Sequence, residues 1–92
     1  MTTTKRAVER YGAEHQTWKA VEEMGELQQA ICKYQLATDP LEKDMAILDL
    51  RSEIADVCIM MEQLRLIYGE KMIDVAIAYK LERLEKRMGR DQ

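Results

Sequence analysis

The stretch "TDPLEKD", Thr38 to Asp44, decides how this chain folds. Asp39 is a residue that caps helices, Pro40 suits a helix's first turn, and Glu42 stands at the reciprocal position of a capping box. A helix is therefore expected to start here, immediately after another has ended. Upstream, "VEEMGELQQAICK" (Val21 to Lys33) carries apolar residues at helical spacing, and so does "RSEIADVCIMM" (Arg51 to Met61) downstream. Two helices joined by so short a link must run antiparallel.

Outward from that turn, punctuation is sparse. Gly12 separates a short opening helix, about residues 4–11, from a long one over about 13–37. The third helix is expected over about 40–68, where Gly69 supplies a left-handed C-terminal residue. A fourth then occupies about 70–88, and "GRDQ" is expected to fray. No repeat, low-complexity segment or linker interrupts residues 1–92, so the reading is one all-α domain. It is an antiparallel bundle of three long helices plus the short N-terminal one. If both turns are tight, Glu26 comes level with Ser52, Glu23 with Asp56, and Asp56 in turn with Glu82, between Lys80 and Arg83.

Composition agrees with helix and excludes several classes. The 92 residues are 47% hydrophobic with one Pro and four Gly. So short a chain buries a modest core and ordinarily relies on a partner. A net charge of −3 offers no basic footprint for duplex nucleic acid. Cys32 and Cys58 lack metal-ligand spacing and sit in apolar helical sequence, so buried free thiols in a reducing cytoplasm are expected. No leader-like N-terminus or apolar run of membrane-spanning length occurs, and the protein is expected to avoid the membrane.

Against this background the carboxylates stand out. Glu23 and Glu26 are three residues apart, as are Glu53 and Asp56, so each pair projects from one side of its helix. A single such pair is ordinarily a solvated face. These two interrupt apolar stripes: Ala46, Leu50, Val57, Met60 and Leu64 flank Glu53 at helical spacing, and Ala20, Leu27, Ala30 and Tyr34 flank Glu23. Four carboxylates gathered in a partly apolar groove oppose one another's ionisation. A divalent cation removes that opposition, and an all-oxygen donor set suits Mg²⁺ or Mn²⁺. A di-iron bundle would carry Glu-x-x-His on two helices, and the only histidine, His15, is out of that register.

"EEMGE", followed after twenty-six residues by "EIAD", resembles the EExxE…ExxD signature of the MazG-like all-α nucleoside triphosphate pyrophosphohydrolases. That family includes dimeric dUTPases and phosphoribosyl-ATP pyrophosphohydrolases. The resemblance covers roughly residues 11–87. It implies Mg²⁺-dependent cleavage of a nucleotide between its α- and β-phosphates, with Glu23, Glu26, Glu53 and Asp56 as metal ligands and Glu22 supporting them or orienting water. It also implies a dimer or a dimer of dimers. Some relatives contact phosphate through Asn-x-Lys-x-x-Arg on the last helix. Here "AYKLER" keeps Lys80 and Arg83 but has Ala78 in the Asn place.

The remaining candidates follow from charge and ring chemistry. Lys80, Arg83 and Arg87 share a face and could hold phosphate, Arg bidentately and Lys as a point charge. Lys33, two turns beyond Glu26, could reach a terminal phosphate, although a solvated lysine is the plainer reading. Trp18 is a candidate for stacking on a base, although a lone Trp in a small bundle more often serves core or interface. The competing class is a non-enzymatic helical module whose acidic groove binds a basic partner. Within the enzyme class, phosphoribosyl-ATP or a pyrimidine triphosphate is the alternative substrate. Ile77, Leu81, Leu84 and Met88 on the fourth helix, and Leu48, Ala55, Ile59 and Leu66 on the third, add apolar edges that one chain has few partners to cover. They point to a homodimer.

Overall fold

The computed structural model describes residues 2–90 and contains four helices. α1 spans Thr3–Tyr11, α2 Ala13–Leu36, α3 Pro40–Tyr68 and α4 Glu70–Arg90. Three long helices pack in chain order behind a short N-terminal one.

Local chemistry explains each boundary. Thr2 caps α1, its hydroxyl accepting from the Lys5 amide at 3.2 Å. Gly12 at φ 90° and Gly69 at φ 116° end α1 and α3 with backbone that L side chains rarely adopt. The expected capping box at Asp39 does not form: the Asp39 side chain makes no cap hydrogen bond. Pro40 at the first helical position presets φ by itself, and the Asp39 carbonyl accepts from the Lys43 amide at 2.9 Å. Gly89 and Arg90, expected in a frayed tail, instead continue α4. The rest of that tail, Asp91 and Gln92, lies outside the described residues.

α2 and α3 form an antiparallel hairpin, and its side-chain ties fix the register. At the turn, the Lys43 ammonium donates to the Tyr34 carbonyl at 2.8 Å and lies 4.3 Å from the centre of the Tyr34 ring. That contact satisfies one of the carbonyls a helix end leaves without a partner. At the far end, buried Gln16 donates from Nε2 to Oε1 of buried Gln63 at 2.7 Å, and the Thr17 and Tyr68 hydroxyls lie 2.9 Å apart. Between these ties the seam is closed by small side chains. Ala20, Ala30 and Met60 are the buried apolar residues among those described. α1 folds against both helices of the hairpin. Of the neighbouring methionines, Met60 is buried and Met24 half-buried, whereas Met61 is exposed.

α4 touches α3 alone. Arg65 clasps its base, donating from Nε and Nη2 to both Asp74 oxygens at 2.7–3.0 Å and from Nη1 to Glu62 at 2.6 Å. These carboxylates raise the Arg65 pKa further, Asp74 foremost. Beyond the clasp the helix stands away, with no buried residue and only Ile73 half-buried. The radius of gyration of 16.8 Å exceeds the roughly 12 Å of a compact domain this long. The expected levelling of Lys80 and Arg83 with Asp56 therefore does not occur within one chain. Levelling by residue count assumes helices that stay packed, and α4 parts from α3 after its first turns. The thiols also differ from expectation: Cys32 and Cys58 are free and exposed, because the hairpin seam covers only one face of each helix.

Candidate functional site

The carboxylate site lies midway along the hairpin. One oxygen each from Glu23 and Glu26 of α2 and Glu53 of α3 fall within 4.8 Å of one another. The three-residue spacing puts both α2 carboxylates on one side of their helix, and the turn at 37–39 brings Glu53 across from them. The side chain of Glu23 is only 12% exposed; Glu53 is half-buried and Glu26 exposed. One oxygen of Glu23 and one of Glu53, both Oε2, are buried without any hydrogen-bond partner. Buried carboxylate oxygens ordinarily have one.

Electrostatics follow from this crowding. The Glu26 carboxyl is held above its usual range, chiefly by the Glu23 charge and then by hydrogen bonding with the Glu23 carboxyl, with partial desolvation and the Glu53 and Glu22 charges adding to it. Glu53 is also raised, first by burial and then by the charges of Asp56, Asp49 and Glu23. The only cation paired with the cluster among the described residues is Lys19, 3.3 Å from Glu23 Oε1 and 3.4 Å from Glu22 Oε1. Its pKa is pushed up by both partners, Glu23 first.

Asp56 does not join the converging oxygens. It is exposed, shorter by one methylene than the glutamates, and acts on the group through its charge alone. Glu22 is more open than its neighbour, 59% exposed at the side chain, and sits on the rim beside Lys19. Lys33 is exposed toward the 37–39 turn, and Lys80, Arg83 and Arg87 line a cleft made entirely by α4. Glu82 pairs with Lys86 at 3.2 Å, as their four-residue spacing predicts. Trp18 is exposed near the Gly12 corner. Sequence reasoning missed Lys19 and Asp49. Each stands one helical turn before a site glutamate, Glu23 and Glu53 respectively, a spacing that could have found them.

The donor set suits a hard cation on its own chemistry. Oxygens bound to Mg²⁺ at about 2.1 Å are separated by roughly 3–4 Å, compatible with the observed convergence. The two orphaned Oε2 atoms are the acceptors such an ion would satisfy. Compared with models of protein families, with curated proteins and with solved structures, the chain shows no match.

Proposed function

We propose that the chain is a metal-dependent nucleoside triphosphate pyrophosphohydrolase, releasing a monophosphate and pyrophosphate. The observation that carries this reading is the convergence of Glu23, Glu26 and Glu53 across the hairpin, where Glu23 and Glu53 each also have one buried, partnerless carboxylate oxygen. The ordered EEMGE…EIAD motifs and their resemblance to MazG-like enzymes support it. Glu23, Glu26 and Glu53 would hold Mg²⁺ or Mn²⁺, with Asp56 at the edge. When bound, the ion supplies charge neutralisation of the triphosphate and activation of water for attack at phosphorus.

The chain's own residues do the rest. Glu22, on the solvent rim, orients the attacking water. Lys19 holds Glu23 aligned by ion pairing. Lys80, Arg83 and Arg87 bind phosphate, and Lys33 meets the terminal phosphate. Because α4 stands away from its own hairpin, these α4 cations act at the carboxylates of a second copy. Surface area supports the homodimer. A compact monomer of 10.8 kDa exposes roughly 5,500 Å², whereas this chain exposes 7416 Å². The excess, on the order of 1,900 Å² per chain, falls in the range buried by obligate interfaces. Two such dimers could pair as a tetramer.

Alanine at Glu53 tests the reading. Glu53→Ala should keep its helical content while losing Mg²⁺ binding and pyrophosphate release across a panel of nucleoside triphosphates. Unchanged Mg²⁺ binding would refute the site. Diphosphate and orthophosphate as the only products would refute cleavage between the α- and β-phosphates.

A further inference from the structure

Trp18 is the only tryptophan in the chain, and it is 67% exposed. It shares one open cleft of about 640 Å³ with Tyr11, His15, Lys19 and Glu22, at the corner where Gly12 turns α1 into α2. The Tyr11 and His15 rings lie 5.8 Å apart, tilted by 31°. Three aromatic rings thus gather at one corner, where a folded monomer would ordinarily cover them.

The His15 ring is held by the interior of the hairpin. Buried Gln16 uses Nε2 to donate to Gln63, so its Oε1 is the acceptor for His15 Nδ1 at 2.7 Å. His15 Nδ1 therefore carries a hydrogen, and in the neutral ring Nε2 is a hydrogen-bond acceptor lining the cleft. The cleft reaches the rim of the carboxylate site. Lys19 and Glu22 belong to its lining, and Lys19 is paired with Glu23. Trp18 and Glu22 both line the cleft, and their four-residue spacing puts them on one side of α2, about 6 Å apart along the axis, a span suited to a sugar and its first phosphate.

From this juxtaposition we infer that the Tyr11–His15–Trp18 cleft is the base subsite: the nucleobase stacks on the Trp18 indole and presents an N–H edge to His15 Nε2. Stacking on an aromatic face tolerates every base, so the cleft supplies affinity for a nucleoside as such. The inference rests on the pyrophosphohydrolase reading for its phosphate side and on the cleft for its base side.

The lone tryptophan is its own reporter. With Mg²⁺ present, nucleoside triphosphates should quench its emission saturably, and inorganic tripolyphosphate should not. Trp18→Leu should raise KM for nucleoside triphosphates about 10-fold, the loss of one stacking contact. It should leave inhibition by tripolyphosphate unchanged, with Trp18→Phe in between. A wild-type KM in Trp18→Leu for every nucleotide would overturn the inference, as would emission that follows protein concentration instead of nucleotide, since a second copy would then cover the indole. If no triphosphate is cleaved, the enzymatic reading fails separately. Free nucleosides at millimolar concentration then decide the cleft, saturable quenching supporting it and none overturning it.

Discussion

Leu81→Asp should break the proposed dimer. Leu81 is 59% exposed in the single chain, within an α4 stripe where Ile77, Leu84 and Met88 are 46%, 38% and 52% exposed. Full burial of a leucine is worth about 1.5–3 kcal/mol, so covering what remains of Leu81 contributes about 1–2 kcal/mol per chain. A two-fold interface counts that contribution twice, and the aspartate adds the cost of desolvating a charge. The dimer dissociation constant should therefore rise by at least about 100-fold, the equivalent of about 2.8 kcal/mol. Helicity should fall as well. α4 has 21 residues and no buried one, and isolated helices of that order are marginal in water. The four helices contain 9, 24, 29 and 21 residues, so α4 carries roughly a quarter of the helical signal. Sedimentation equilibrium and circular dichroism across the micromolar range give the readout. The wild type should lose mass and helicity together on dilution, and Leu81→Asp should show the lower values throughout. A variant that sediments and absorbs like the wild type at every concentration would refute the reasoning.

The carboxylate cluster sets a pH dependence whose sign follows from its crowding. Glu26 and Glu53 have folded pKa values above the 4.5 expected when free, so their ionisation destabilises the fold. That cost is fully present above the folded pKa values and absent below the unfolded one. Without divalent ions, the contribution of these groups should raise the melting temperature as pH falls from neutrality toward the unfolded value. Mg²⁺, or Glu53→Gln, should flatten that rise; an identical slope in Glu53→Gln would contradict it. The buried amide pair gives another test. Gln63→Leu orphans Gln16 and should cost about 1–3 kcal/mol, and adding Gln16→Leu should recover part of it, as a denaturant-unfolding double-mutant cycle would measure. Full additivity would mean that the 2.7 Å hydrogen bond carries no coupling.

Helix limits were legible because they depend on local backbone chemistry. Gly12 and Gly69 accept positive φ, Pro40 presets a helical first turn, and those dihedrals are properties of the residues themselves. The pairing of Glu23 with Glu26 on one helix side follows in the same way from helical geometry, and the short link at 37–39 was enough to bring Glu53 opposite them. Tertiary structure alone decided what depends on angles and distances between helices. Residue counting placed Asp56 in the cluster and Lys80 and Arg83 beside it. Asp56 instead stays exposed, and α4 swings clear beyond the Arg65 clasp. Cys32 and Cys58 read as buried from their apolar neighbours, yet a two-helix seam lined by Ala20 and Ala30 has only one inside. The two orphaned oxygens were likewise invisible in the sequence. Whether a carboxylate oxygen finds a donor is settled by every side chain packed around it, and those neighbours come from both arms of the hairpin.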